Sequence, residues 1–373
     1  MWMASPADIA SDNGRIESAV CHLDAERGRL TYRGYDVNEL ARHATFEEVA
    51  YLLVAGALPT RSEVKAFGRE WAAMQKLSAS ERRWLRSVST DADELAVLRT
   101  AVSALPLAGV AMAAASGPQG IPGEALRLLS RVPTLAAERQ RLRRGGEKGP
   151  AWGRQGVARG YLRVATGAEP AAELVESFDA ALILRADNEL NPGTYAARVA
   201  ASTGADLTSC ITAAMGALAG PKHSGHTPAV ARLLAEVGSV DRAETVAEKL
   251  ALAGKKPAGF GHPVYRGEDP RTPTARRLAQ TACAASGTEA TFELARTVEE
   301  AIVRRTGLRA NVDYYLTVVY LAAGLPVASF APLFAVARTP GWIAHVLEQG
   351  RDPELIRPRA TYVGPDEQHY PNR

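Results

Sequence analysis

Between Gly254 and Arg271 the chain reads GKKPAGFGHPVYRGEDPR, a stretch whose residue types suit acid–base work and anion binding. Lys255, Lys256, His262, Arg266, Asp269 and Arg271 all fall within it. Pro257, Pro263 and Pro270 each remove a backbone donor and fix φ, and the interspersed glycines permit conformations closed to other residues, so the stretch is not helix. A long polar loop in an otherwise helical chain is either functional or a solvated interdomain connector.

Three polar groups stand out near predicted helix boundaries, one of them within this loop. His223 follows a helix, His262 lies in the loop, and Asp313 sits in the first turn of NVDYYLTVVYLAAG. The helix macrodipole favours a carboxylate at that position, and the same field keeps Asp313 ionised and available as a base. Each histidine has a plainer role open to it, satisfying backbone groups of its own loop. Arg271, Arg338 and Arg357 adjoin predicted helix breaks. A guanidinium forks onto carboxylates or phosphates, although each arginine alone also fits a surface ion pair. His223 and His226 share a glycine loop without a further ligand, so no metal site is expected. These residue types support acid–base chemistry on an anionic small molecule.

The elements that must position them are helical. A small hairpin or two irregular strands are predicted over Ile16–Tyr32, with Arg27-Gly28 between them. From Asp36 the pattern is helical: Asp36 caps VNELARHA, and Thr45 with Glu48 forms a capping box before FEEVAYLLVAG. AVSALPLAGVAMAAASG is short and broken by Pro106, which predicts a buried helix rather than a membrane span. Glu138–Lys148, the strongest basic run, reads as a solvated helix face leading into a loop. AAELVESFDAALILRADNEL has one apolar face and ends at Asn191-Pro192-Gly193. Two helices rich in small residues follow, suited to a tight core or a subunit interface. Thr227 and Asp241 are predicted caps of the next two helices, Thr272-Pro273 starts another, and PVASFAPLFAVAR and GWIAHVLEQG read as separate helices around Thr339-Pro340. The segment from Arg351 onward reads as an extended arm.

The chain has 373 residues, enough for a large core and two domains. Its net charge of +3 is small for this size and argues against a nucleic-acid binder. Three distant cysteines, Cys21, Cys210 and Cys283, indicate neither a disulfide framework nor a zinc site. No apolar window is long enough for a membrane span, and MWMASPADIASDNGR lacks the pattern of a signal peptide, so a cytoplasmic protein is expected. βαβ alternation, GxGxxG and GxxxxGK[ST] are missing, which excludes Rossmann and P-loop readings.

Ordered motifs carry a further inference. LTYRGYDVNELARHATFEEVAYLLVAGALPT at 30–60, NELNPGTYAARVAASTGAD at 188–206, GALAGPKHSGHTPAV at 216–230 and GFGHPVYRGEDPR at 259–271 follow one another in the chain. NVDYYLTVVYLAAGLP at 311–326, APLFAVARTPGWIAHVLEQ at 331–349 and IRPRATYVGP at 356–365 complete the series. In this the chain resembles the citrate synthase family, which includes 2-methylcitrate synthases. The resemblance implies a mainly α fold with short β elements near the N-terminus. A large domain over 1–223 and 319–373 and a small one over 224–318 would share the cleft. It implies a homodimer that condenses acetyl-CoA or propionyl-CoA with oxaloacetate and then hydrolyses the thioester. A coenzyme A thioester would be co-substrate, with no tightly bound cofactor or metal.

By motif, His223 would donate to the thioester carbonyl, Asp313 would take the methyl proton, and His262 would polarise the ketone. Asn188, Arg271, Arg338 and Arg357 would hold oxaloacetate, Arg357 reaching over from the partner subunit. Arg266 would contact a CoA phosphate, and the backbone around Lys255, Lys256 and Gly259 would pass the adenine. The family usually has His where this chain has Asn188; Asn donates a hydrogen bond but cannot become cationic. His226 and Pro263 are further departures. Alternatives of another kind are use of a different 2-oxo acid, or a catalytically silent paralogue that binds CoA or a carboxylate.

Overall fold

The computed structural model describes residues 16–108, 120–146, 152, 156–223, 225–265 and 267–370. The N-terminal stretch forms a hairpin rather than two irregular strands. Strands β1 (Cys21–Asp24) and β2 (Arg29–Tyr32) pair antiparallel with Cys21 opposite Tyr32, and β3 (Tyr35–Asp36) joins β2. Gly28, at φ 60°, takes the left-handed turn.

Local capping then starts helix after helix. Asp36 accepts from the Asn38 N–H to open α1 (Val37–His43). Reciprocal Thr45–Glu48 and Thr60–Glu63 boxes open α2 (Phe46–Ala55) and α3 (Arg61–Met74), and a Ser78–Glu81 box opens α4 (Ala79–Ser87). Each satisfies N–H groups that the helix cannot bond internally. There follow α5 (Glu94–Ser103), α6 (Gly123–Arg143), α7 (Val157–Thr166), α8 (Ala172–Ile183), α9 (Pro192–Ser202) and α10 (Leu207–Leu218). The set closes with α11 (His226–Val237), α12 (Ala243–Leu252), α13 (Thr272–Ser286), α14 (Glu289–Thr306), α15 (Val312–Ala322) and α16 (Phe330–Gln349). The fold is thus mainly α. The later part of the AVSALPLAGVAMAAASG segment, residues 109–117, lies outside the described residues. Among the described residues no helix is long and apolar enough to cross a membrane.

Two predicted caps are not used. α11 starts one residue before Thr227, from Gly225, and Thr227 is buried. Asp241 lies in a 3₁₀ turn, Val240–Arg242, from which α12 continues without a side-chain cap. In both places the preceding turn already carries helical backbone into the helix, so no extended cap residue is needed.

The core is organised on α16, which packs against α2, α6, α9 and α10 and is buried on nearly all sides from Phe330 to Val346. The expected break at Pro340 does not occur: Pro340 lies inside the continuous helix. A proline costs an interior helix one hydrogen bond and a clash. Burial of Leu333, Val336, Trp342 and Ile343 on both sides of it offsets that loss. Gly341 is needed there, because a Cβ would collide with Asp187 and the Ala186 carbonyl.

The basic run Glu138–Lys148 also differs from expectation. Arg139 is 4% exposed, on the inner face of α6, with Nε 3.1 Å from Glu94 Oε1 on α5. Gln140 donates to the other Glu94 oxygen at 3.1 Å, and Arg143 Nε approaches at 3.4 Å. Charge counting along the chain cannot find this, because the compensating carboxylate comes from another helix. Glu94→Gln, which strands the buried Arg139, is expected to destabilise the fold by about 3–5 kcal/mol. Urea denaturation measures this, and a loss below about 1 kcal/mol would show that Glu94 does not compensate Arg139.

Candidate active site

A cavity of about 660 Å³ opens where six segments meet. These are the turn after α8, the loop after α10, the start of α11, the 254–271 loop, the start of α15 and the middle of α16. Of the residues named from sequence, it brings together Asn188, His223, Lys256, His262, Arg271, Asp313 and Arg338. Lys255 and Gly259 do not line it. Gly259, at φ 80°, is buried behind the wall, where a Cβ would come within 2.6 Å of Val230 Cγ2. Arg357 is exposed on the extended C-terminal arm, away from the cavity lining, and Arg266 is outside the described residues.

The 254–271 loop is irregular, as its prolines and glycines require, yet it is tied down. Its residues 259–261 pair with 309–311: Gly261 donates to the Arg309 carbonyl at 2.7 Å, and Asn311 donates to Gly259 at 2.8 Å. Asn311 caps α15, its Oδ1 accepting from the Asp313 N–H at 3.0 Å while its Nδ2 donates to Gly261 at 2.9 Å. Asp269 Oδ2 accepts from Val312 at 3.2 Å. One short segment therefore sets the spacing between the His262 loop and Asp313. Asn38, on α1, adds a link to the Pro270 carbonyl at 3.2 Å.

The two histidines are held neutral. Burial first, and then the Arg271 charge, lowers the His262 pKa to about 4 against the opposing pull of Asp269 and Asp313. Its Nδ1 accepts the N–H groups of Val264 and Tyr265 at 3.1 and 3.2 Å. That leaves the proton on Nε2, which can donate to a ligand oxygen. Burial and Arg338 likewise lower His223 to about 4. His223 Nε2 is buried without a partner, and its ring stands edge-on to Phe334 at 5.5 Å.

Three guanidinium groups border the same space. Arg271, 3% exposed, forks onto Asp269 with both contacts at 2.9 Å. Burial would lower its pKa, but Asp269 outweighs that and raises it. Arg185, at the end of α8, pairs with Asp313. Arg338 donates from Nε to the Arg185 carbonyl at 2.7 Å and has no carboxylate partner among the described residues. Arg185 and Arg338 lie over the Phe334 ring at 4.5 and 5.1 Å.

Beneath them, Arg198 faces His345 Nδ1 at 3.1 Å, and His345 Nε2 faces Asp187 Oδ2 at 3.2 Å. A guanidinium only donates, so Nδ1 accepts and Nε2–H donates to Asp187. Burial raises the Asp187 pKa, but His345 and Arg338 outweigh it, and the carboxyl stays below its usual range. Asp187 also accepts the Glu189 N–H at 3.1 Å, holding Glu189 at φ 54°, backbone that non-glycine residues seldom adopt. The adjoining Asn188 has its Oδ1 buried and unpartnered.

Residues 11–359 match the family model described as "Citrate synthase, C-terminal domain". The chain belongs to the citrate synthase family. It is similar to the citrate synthase of Haloferax volcanii, 39% identical over 93% of both chains. It is also similar to the 2-methylcitrate synthase of Mycobacterium tuberculosis H37Rv, 33% identical over 95% of this chain and 89% of that one. The crystal structure of citrate synthase from Thermotoga maritima superposes with a TM-score of 0.83 at 35% identity, covering 99% and 98% of the two chains. Citrate synthase from Thermoplasma acidophilum, in ternary complex with carboxymethyl coenzyme A and oxaloacetate, gives 0.86 at 29% identity, with 96% of each chain covered.

As a citrate synthase family member the chain has a cleft richer than its motifs indicated. Arg185 and Phe334 carried no separate sequence signal: one sits in an apolar helix end, the other in a core helix. Asn311 and Asp269 were within quoted motifs but without roles. Among the described residues no cluster of three or more His, Cys, Asp or Glu side chains is placed to hold a metal ion.

The neutral histidines have a stability consequence. Both fold with pKa values near 4, against 6.5 for an ordinary histidine. Between those values the unfolded chain takes up protons that the folded chain refuses, so stability is full above about pH 6.5 and falls as pH drops toward 4. The double variant His223→Gln/His262→Gln is expected to lose less stability than the parent between pH 6.5 and 4, read as the shift in urea midpoint. An unchanged slope would refute neutral burial.

Proposed function

We propose that this cleft condenses acetyl-CoA with oxaloacetate and hydrolyses the resulting thioester, releasing CoA and citrate. The observation that carries this is the convergence of two neutral histidines, one helix-start carboxylate and buried arginines on one cavity. A methyl group beside a thioester is a very weak acid, so a carboxylate deprotonates it only where the forming enolate is stabilised at once. Asp313 is the base. His223, with Nε2 free of any protein partner, is the donor to the thioester oxygen. The methyl C–H bond breaks, its proton passes to Asp313, and its electrons move onto that oxygen.

His262 is the electrophile on the other substrate. Its Nδ1 is occupied by two backbone N–H groups, which favours Nε2–H toward the ketone oxygen. The enolate carbon then bonds to the ketone carbon, the His262 Nε2–H hydrogen-bonds to the new alkoxide, and that oxygen takes the proton that Asp313 removed from the methyl group, which restores the carboxylate. Arg338, without a carboxylate of its own, and Arg271 receive the oxaloacetate carboxylates. Water then splits the thioester. No tightly bound cofactor or metal enters, and the CoA thioester is a substrate.

The finer assignments belong to the same proposal. Residues 224–318 form the smaller domain that closes over the substrates and excludes water while the enolate exists. The active unit is a homodimer, in which the exposed Arg357 on its extended arm completes the oxaloacetate site of the partner subunit. Arg266 and the backbone near Lys255, Lys256 and Gly259 receive CoA. Separate, unpaired cysteines favour a reducing, cytoplasmic location. Propionyl-CoA is the alternative acyl donor in the same reading, and the unpartnered carbonyl oxygen of Asn188 favours a second possibility, a different 2-oxo acid.

Release of free CoA thiol that depends on oxaloacetate, with acetyl-CoA or propionyl-CoA, is the expected result. No release with either at high enzyme would overturn the proposal. Asp313→Asn is expected to lower turnover about 10²–10⁴-fold. Asn188→His is expected to tighten oxaloacetate binding, and an unchanged KM would show that position 188 does not limit it.

A further inference from the structure

Arg185 is the charged group in the cleft that no motif accounts for. It is 1% exposed, yet it lines the cavity. One terminal nitrogen donates to Asp313, while Nε and the other terminal nitrogen are buried with no hydrogen-bond partner. Its guanidinium lies on Phe334, the ring that His223 also contacts, and His223 Nε2 is unpartnered too. Its main chain is anchored by Arg338 through the Arg185 carbonyl. The cleft therefore presents two sets of unused donors beside the base, on one aromatic platform.

This pairing would obstruct the reaction if Arg185 served Asp313 alone. Once Asp313 takes a proton, the buried guanidinium loses its only anionic partner among the described residues, and an uncompensated buried charge opposes the step. The opposition disappears if new negative charge forms within reach of the spare donors.

We propose that Arg185 is a catalytic residue for enolisation, passing from the Asp313 carboxylate to the enolate oxygen as the proton moves the other way. The methyl C–H bond breaks, the proton goes to Asp313, and the electron pair goes to the thioester oxygen. Arg185 keeps one monoanionic partner before and after the step, and the net charge beside it is constant. Its unused N–H groups and His223 Nε2–H form a compound oxyanion hole. This rests on Asp313 being the base of the condensation proposed above.

The test uses the full chain with acetyl-CoA and oxaloacetate, comparing wild type, Arg185→Gln and Arg185→Lys by steady-state kinetics with protonated and methyl-deuterated acetyl-CoA. Arg185→Gln is expected to lower kcat about 10²–10³-fold, the usual loss for one oxyanion donor. KM for oxaloacetate should stay within about threefold, and the deuterium isotope effect should rise as proton removal becomes the slow step. Arg185→Lys keeps the charge on Phe334 and guards against a folding defect; it is expected to retain more turnover than Arg185→Gln.

A kcat near the wild-type value in Arg185→Gln would overturn the proposal. So would a loss confined to the oxaloacetate KM, which marks a substrate anchor, or a kcat loss with an unchanged isotope effect, which marks a structural role. Wild type without CoA release overturns the condensation itself, whereas active wild type with an unimpaired Arg185→Gln overturns only the role of Arg185.

Discussion

A guanidinium taken out of water needs an anion, and three of the described arginines surround this cleft. Arg271 has Asp269, Arg185 has Asp313, and Arg338 has a backbone carbonyl but no carboxylate among the described residues. A buried cation without a carboxylate in direct contact is costly even in the field of a nearby Asp187, and the cost is recovered when an anionic ligand arrives. The site is in that sense prepared for an anionic ligand before one binds. The same charge helps to keep His223 neutral, so it can act as a hydrogen-bond donor rather than a competing cation. Arg271 does the same for His262.

Around that charge balance the fold supplies distances. Phe334 seats two of the arginines and touches His223, and it belongs to the most buried helix of the structure. Asn311 joins Asp313 to the His262 loop through three hydrogen bonds within one residue. Below the site, Asp187 holds the Glu189 backbone in a conformation it would not choose, and His345 and Arg198 keep Asp187 in place. Rigid support of this kind is what lets a few donors be worth several kcal/mol in a transition state.

Much of this was legible in the chain. Asp36, the Thr45–Glu48 box and Gly56 start and stop helices through atoms of neighbouring residues, and sequence spacing reports such contacts directly. The irregularity of the 254–271 loop was legible for the same reason. Arg139 was not, because its solvated appearance is cancelled by Glu94 on another helix. Nor was the continuity of α16 across Pro340, where core burial on both sides outweighs a local penalty. Caps at Thr227 and Asp241 failed because the preceding turns were already helical.

The sequence by itself determined the residue types at the cleft, the breaks that deliver His262 and Arg271, and the position of Asp313 in a first helical turn. These follow from interactions a few residues long. The tertiary structure alone decided that Arg185 meets Asp313, that Phe334 carries two guanidinium groups, and that Arg338 has no carboxylate in direct contact among the described residues. The reason is physical: the energy of a buried charge depends on which charge lies within a few ångströms, and that partner comes from a distant part of the chain.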